Sequence, residues 1–165
     1  MPETLTVGHP FLRRVVEALD QTYGARLASV AVFGSVARGS ARPDSDLDLF
    51  VVVDGLPPSR RARLRTFDAV EQHLAAALRD LARRGVHTRL APLLRTPDEA
   101  VIATPLMLDL TEDAVMLVDR DGLLATALAA LRTRLARAGA RRIWRGTQWY
   151  WDLKPDFRRG DIVRI

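Results

Sequence analysis

A chain of 165 residues is long enough for one domain and leaves little room for a second. Apolar residues make up 48% and charged residues 27%, which fits a folded globular protein and excludes a disordered or fibrous one. The lack of cysteine excludes disulfides, thiolate metal sites and a cysteine nucleophile, and three scattered histidines argue against a histidine-built metal site. The formal charge of +5 favours an anionic substrate or partner.

The charge is unevenly distributed along the chain. Residues 1–56 carry a net charge of −2, residues 57–104 carry +4 and residues 105–165 carry +3. No apolar run approaches the ~20 residues that a membrane span needs, and charged residues interrupt the first 25 positions. We therefore expect a cytoplasmic protein without a membrane partner, in which acidic chemistry and basic surface belong to different segments.

The first third of the chain alternates helix and strand patterns. His9–Tyr23 has the apolar spacing of an amphipathic helix, and Arg26–Phe33 is typical of a buried strand. A polar segment, Gly34–Ser45, separates it from a second strand over Asp46–Val53, which begins with strict alternation and becomes continuously apolar.

The middle third predicts one long helix and a third strand. Ser59 is the expected N-cap of the helix, and Gly85 lies just past its end. Val86–Leu94 reads as a strand, which Pro92 makes either an edge strand or a short one. A short helix is expected at Pro97–Glu99, because proline and acids suit a first turn.

The last third predicts a short strand over Ala114–Val118, followed by a helix capped by Asp121 and ended by Gly139. The tail alternates apolar and basic residues, and either closes the sheet or packs as irregular structure. Because strands and helices alternate, the predicted fold class is α/β (α+β), with a mixed β-sheet flanked by helices.

Two acids at the start of the second strand carry the clearest chemistry. Residues i and i+2 of a strand project from the same face, so Asp46 and Asp48 converge while Leu47 points to the core. Two neighbouring carboxylates repel unless a cation lies between them. Hard oxygen ligands suit Mg²⁺ or Mn²⁺, the ions used in phosphoryl and nucleotidyl transfer.

The polar segment before these acids predicts the matching nucleotide contacts. Gly34 lets a phosphate approach the backbone, and Ser35 offers a hydroxyl and exposed amides at the start of a helical turn. Arg38 and Ser40 lie in the same segment, within reach of phosphate oxygens. Asp44 follows a proline and is read as a turn residue. The segment lacks the Lys-Ser/Thr pair of a Walker loop, so a P-loop is rejected.

Val32–Ala41 (VFGSVARGSA) followed by Ser45–Leu49 (SDLDL) resembles the signature of the DNA polymerase β-type nucleotidyltransferase superfamily, and the short chain resembles its minimal nucleotidyltransferase (MNT) group. The resemblance implies a polymerase β-like fold and a single nucleotidyltransferase domain over 1–165, with a motif core at about 8–104 and a C-terminal extension at 105–165. It also implies that Asp46 and Asp48 are the catalytic residues and hold Mg²⁺, and that Gly34, Ser35, Arg38 and Ser40 bind the nucleotide.

The activity implied is transfer of a nucleoside monophosphate, AMP from ATP, to a macromolecular or small acceptor. Minimal nucleotidyltransferases resemble antitoxins of HEPN-type toxins, so a HEPN-type toxin is the expected protein partner. RNA and a second copy of the chain are further candidate partners. The alternative is a weak or inactive nucleotidyltransferase-fold module that binds nucleotide, RNA or protein.

The superfamily places a third carboxylate on the strand after the long helix. Val86–Leu94 contains no acid, and Arg89 lies near the expected position. Three acids further along the chain are candidates to replace it: Asp98, Glu99 and Asp109.

The tail combines aromatic and basic side chains. Such a composition suits nucleotide or single-strand contacts, and it equally suits tryptophans that seal a core or a subunit interface. The residues concerned are Trp144, Trp149, Tyr150, Trp151, Arg141, Arg142, Arg145 and Lys154.

Overall fold

The structure is a computed structural model and describes residues 3–162. In that part of the chain the main elements follow in the order α1 (Phe11–Tyr23), β1 (Leu27–Phe33), α2 (Gly34–Ala37), β2 (Leu47–Val53), α3 (Arg60–Arg83), β3 (Leu90–Arg95), α4 (Pro97–Ala100), α5 (Pro105–Asp113), β4 (Val115–Asp119), α6 (Leu123–Ala138), β5 (Arg141–Arg145) and β6 (Gln148–Asp152). Single 3₁₀ turns cover Gly24–Arg26 and Arg120–Gly122.

Four strands form a mixed sheet in the order β3-β2-β1-β4. β1 pairs antiparallel with β2 and β4, whereas β2 and β3 are parallel and joined by the long helix α3. The predicted mixed sheet flanked by helices is therefore confirmed. Pro92 lies on β3, an edge strand, where a residue without a backbone N–H costs no central hydrogen bond.

Helices cover both faces of the sheet, which explains why β2 is continuously apolar. One face packs Val30, Val32, Leu49 and Val51 against α1 and α3. The other packs Ala31, Phe50 and Val52 against α4, α5 and α6. The two central strands are thus buried from both sides, and the start of β2 is a rigid place for a functional side chain.

The long helix begins as predicted, since the Ser59 side chain accepts a hydrogen bond from the Ala62 amide at 3.2 Å. The third strand begins later than predicted, at Leu90 rather than Val86. Upstream of it, the His87 amide donates to the Pro43 carbonyl at 2.7 Å, and the Thr88 hydroxyl donates to the Ser45 carbonyl at 2.8 Å. Residues 86–89 therefore support the polar segment before β2.

The predicted cap of α6 is wrong. Asp121 lies in a left-handed conformation within the 3₁₀ turn, Gly122 occupies the N-cap position, and the Asp119 side chain bonds the first amides of the helix. The Asp119 carboxylate accepts from the amides of Leu124 and Ala125 at 3.0 and 2.9 Å, and from the buried Ser29 hydroxyl at 2.6 Å. The predicted end of this helix at Gly139 is confirmed, and its buried face carries Leu124, Leu128, Leu131 and Leu135.

The tail neither closes the sheet nor packs as irregular structure. β5 and β6 form a separate antiparallel hairpin, with Gly146 in a left-handed conformation between them. Helix α5 is an addition to the predicted elements. Its start carries an N-cap, Thr104, and a proline at the first helical position.

None of the helices within residues 3–162 has the length and apolar composition needed to cross a membrane.

Candidate functional site

The two predicted carboxylates lie at the start of β2. Asp46 immediately precedes the strand and is exposed, whereas Asp48 is its second residue and is half-buried. Leu47 and Leu49 between and beyond them are fully buried. The Leu47 amide donates to the Arg89 carbonyl at 2.8 Å, which fixes the entry of this segment into the sheet. The expected alternation of core-facing leucines and outward acids is present.

Gly34 lies directly against the Asp48 carboxyl group. β1 and β2 pair so that Phe33 is opposite Asp48, and the chain then turns into α2 at Gly34 with φ of +69°. A Cβ at Gly34 would lie 2.9 Å from Cγ of Asp48 and nearer still to its Oδ2. Only glycine satisfies both the backbone conformation and this close approach.

Burial raises the pKa of Asp48, and the negative charge of Asp46 raises it further, while the positive charge of Arg38 acts in the opposite direction. The ionised form of Asp48 is therefore destabilised by its surroundings. A cation between the two carboxylates would relieve both effects. The donor set fits Mg²⁺ or Mn²⁺, because Mg²⁺ is commonly bound by one or two carboxylates, with water and substrate phosphates as the other ligands.

The remaining predicted site residues lie on the turn that follows Gly34. Ser35 is the second residue of α2, and its carbonyl accepts from the Ser40 amide at 2.9 Å. The Arg38 amide donates to the Gly34 carbonyl at 3.1 Å. These bonds make residues 34–40 a tight turn beside Asp48.

The Arg38 side chain extends from this turn towards the C-terminal extension. Its guanidinium lies 3.4 Å from a carboxylate oxygen of Asp113, at the end of α5, and 4.9 Å from the ring centre of Trp149 in β6. Asp113 and Trp149 follow Arg38 by 75 and 111 residues in the sequence, and no local motif signals these contacts.

A cleft of about 830 Å³ opens beside the turn. Ala37, Arg38, Ser40 and Arg42 line it from the motif segment. Residues of the α5–β4 segment and of the β5–β6 hairpin line the rest, including Asp113, Arg142, Trp144 and Trp149. Its volume suits a ligand of nucleotide size.

None of the three acids considered as a third carboxylate completes a metal-binding cluster. Within residues 3–162 no group of three or more acids and histidines is arranged to hold a metal ion. Glu99 forms a two-point ion pair with Arg63, Asp109 accepts from the indoles of Trp149 and Trp151, and Asp98 is exposed on α4. On β3 the residue paired with Asp48 is Ala91. The described site therefore has two carboxylates.

Comparison with known proteins matches residues 12–100 to a family model described as "Nucleotidyltransferase domain". A curated protein of Methanocaldococcus jannaschii, named "Putative protein adenylyltransferase MJ1305", is 27% identical over 128 residues, which cover 76% of this chain and 82% of that protein.

Solved structures also align with this chain. One is a toxin–antitoxin with AMP-PNP, at 17% identity and a TM-score of 0.46, covering 77% of this chain and 91% of that one. Another is the tri-AMPylated Shewanella oneidensis HEPN toxin in complex with MNT antitoxin, at 16% identity and a TM-score of 0.42, covering 77% and 88%.

Proposed function

Because the chain belongs to the nucleotidyltransferase domain family, we propose that it is a divalent-metal-dependent enzyme that transfers AMP from ATP to an acceptor. The observation that carries the proposal is the packing of the Asp48 carboxylate against Gly34, with Asp46 just before the same strand. The curated relative named as a protein adenylyltransferase supports adenylate as the transferred group.

Asp46 and Asp48 would hold the metal ion through their carboxylate oxygens. When bound, a divalent ion neutralises phosphate charge and polarises the α-phosphate. Ser35 and Ser40 would donate hydroxyl hydrogen bonds to phosphate oxygens, and Arg38 would donate charge-assisted ones. In the overall reaction an acceptor oxygen bonds to the α-phosphorus as the bond to the β-phosphate oxygen breaks, and pyrophosphate leaves.

The proposed acceptor is a macromolecule, with a HEPN-type toxin as the candidate. The resemblance of the short chain to the minimal nucleotidyltransferase group supports this partner. The name of the curated relative, a protein adenylyltransferase, supports a protein as the acceptor. A small acceptor is the competing possibility, and the transfer assay below separates the two by the size of the labelled product.

A weak or inactive module that binds nucleotide, RNA or protein is the second candidate function. One specific observation favours it: Ala91 lies opposite Asp48 on β3, and none of the described acids completes a three-carboxylate cluster. Losing a ligand or base of this kind can slow catalysis by orders of magnitude.

The test is incubation with Mg²⁺ and ATP labelled at the α-phosphate, with and without the product of a neighbouring gene. The proposal expects label in an acceptor with wild type and none with the Asp46→Asn/Asp48→Asn variant. The control is Asp44→Asn, a nearby acid in the turn before β2, which should retain transfer. No transfer by wild type, or equal transfer by the double variant, would contradict the proposed enzymatic activity. Strong salt-dependent RNA binding in its place would favour the module.

A further inference from the structure

Two tryptophans of the β5–β6 hairpin share one carboxylate of helix α5. Oδ1 of Asp109 accepts hydrogen bonds from the indole nitrogens of Trp149, at 2.7 Å, and Trp151, at 2.9 Å. Both tryptophans lie on β6, and Trp151 also packs against the core formed by α5 and α6. The hairpin therefore has a defined position beside α5, outside the segment that the family model matches.

One helical turn after Asp109, Asp113 connects the hairpin to Arg38. Arg142 of β5 donates to both carboxylate oxygens of Asp113, at 2.7 and 3.0 Å. The Arg38 guanidinium approaches the same carboxylate at 3.4 Å. The Asp113 side chain is only 8% exposed, so these two arginines compensate a nearly buried negative charge at the C-terminal end of a helix.

The indole ring of Trp149 lies beside both guanidinium groups. Its ring centre is 4.9 Å from Cζ of Arg38 and 5.3 Å from Cζ of Arg142. Trp144 is tilted against it with ring centres 4.9 Å apart. A planar cation over an aromatic face, with a carboxylate at its edge, has far fewer accessible orientations than a solvated arginine.

Arg38 thus has the Asp46–Asp48 site on one side and the C-terminal extension on the other. Its charge acts on Asp48, and its side chain lines the cleft together with Ser40 and Trp149. We propose that Trp149 and Asp113 are positioning residues that hold the Arg38 guanidinium for the β- and γ-phosphates of the nucleotide. The C-terminal hairpin is then part of the triphosphate site. This inference rests on the proposed function, because it requires a nucleoside triphosphate at the Asp46–Asp48 site.

The test measures MgATP affinity by calorimetry on the full chain, with thermal unfolding as a check of folding. Loss of the Arg38 side chain in Arg38→Ala should weaken binding about tenfold or more. Trp149→Leu should weaken it about threefold to tenfold, whereas Trp149→Phe, which keeps an aromatic face, should stay within about twofold. Trp151→Phe is the matched control. It loses the same kind of indole bond to Asp109 and should also stay within about twofold.

A combined variant separates positioning from a general structural effect. If Trp149 acts through Arg38, adding Trp149→Leu to Arg38→Ala should cause little further loss of affinity. Fully additive losses, or wild-type affinity in Trp149→Leu, would overturn the inference.

The protein also carries a spectroscopic reporter, because its three tryptophans all lie in the hairpin. In a Trp144→Phe/Trp151→Phe protein, Trp149 is the only tryptophan. Saturation with pyrophosphate and Mg²⁺ should change its emission, and the change should disappear with Arg38→Ala. Pyrophosphate binding detected by calorimetry without a change in emission would overturn the hairpin's role and leave the proposed function intact. A wild-type chain that binds neither MgATP nor pyrophosphate would overturn both.

Discussion

Gly34 and Asp48 are in mutual contact across the antiparallel pair β1–β2, and the Asp48 carboxyl group fills the space where any other residue at position 34 would place its Cβ. The glycine therefore has a steric role towards the carboxylate itself. The position of the proposed metal ligand depends on the absence of a side chain on the neighbouring strand end.

Replacing Gly34 by alanine should disrupt both folding and nucleotide binding. The new methyl group meets Asp48 in a backbone with φ of +69°, so we expect a loss of about 2–3 kcal/mol of unfolding free energy. Gly39→Ala is the control, since φ there is +70° but no atom lies within 4 Å of the added Cβ. It should cost only about 1 kcal/mol. Urea unfolding of the two variants measures the difference, and equal losses would contradict the steric role.

Asp48→Asn should stabilise the metal-free protein while removing transfer. Burial and the charge of Asp46 disfavour the ionised carboxylate of Asp48. A neutral side chain of the same shape should therefore raise the unfolding free energy by up to about 1 kcal/mol. Thermal unfolding without divalent ions is the measurement, with Asp44→Asn as the control for removal of an exposed charge nearby. A lower melting temperature for Asp48→Asn than for wild type would refute this account of the site.

The Arg63–Glu99 pair should make stability depend on acid pH. Two hydrogen bonds from the buried Arg63, at 2.6 and 2.8 Å, lower the pKa of Glu99 from 4.5 to about 2. As the pH falls below about 4.5, the unfolded chain binds a proton first. The contribution is therefore complete above that pH and is lost towards pH 2. Because the Glu99 side chain is 37% exposed, solvent screening limits the contribution to about 1 kcal/mol.

Urea unfolding of wild type and Glu99→Gln at pH 7 and pH 3 measures this effect. The difference in unfolding free energy between wild type and Glu99→Gln should be smaller at pH 3 than at pH 7. Asp98→Asn, at the exposed neighbouring position, should show no such convergence. A gap that stays constant with pH would show that Glu99 contributes by packing alone.

The cap of α6 gives a prediction that distinguishes two nearby acids. Asp119 accepts three hydrogen bonds, and asparagine there loses at least one of them, so Asp119→Asn should cost about 1–2 kcal/mol. Asp121→Asn should be nearly neutral, because asparagine tolerates the left-handed conformation found at that position. Thermal unfolding compares the two. A larger loss of stability in Asp121→Asn than in Asp119→Asn would show that Asp121 caps the helix.

The sequence was sufficient to predict the central fold and the position of two carboxylates at the start of β2, because both depend on local patterns. That these carboxylates bind a metal stays a prediction. Alternation predicts that Asp46, just before β2, and Asp48, its second residue, project to the same side, and continuous apolar residues indicate a strand covered on both faces. Residues 86–89 have strand-like composition but bond to the polar segment before β2, and this long-range pairing has no local signature.

The contacts of the C-terminal extension could not be predicted for the same reason. Arg38, Asp113 and Trp149 lie far apart in sequence and meet only after α5 and the hairpin have packed. Of the two readings of the aromatic tail, the structural one applies to Trp151, and contact with a nucleotide or single strand stays a prediction. Trp151 packs at a core, whereas Trp144 is 49% exposed beside the cleft.

The most direct test of the central claim is the Mg²⁺ dependence of ATP binding, measured by calorimetry for wild type and for Asp46→Asn/Asp48→Asn. If the two carboxylates hold a divalent ion against the triphosphate, Mg²⁺ should strengthen binding to wild type about tenfold or more and leave the affinity of the double variant nearly unchanged. An equal response to Mg²⁺ in both proteins would contradict a metal site at Asp46 and Asp48.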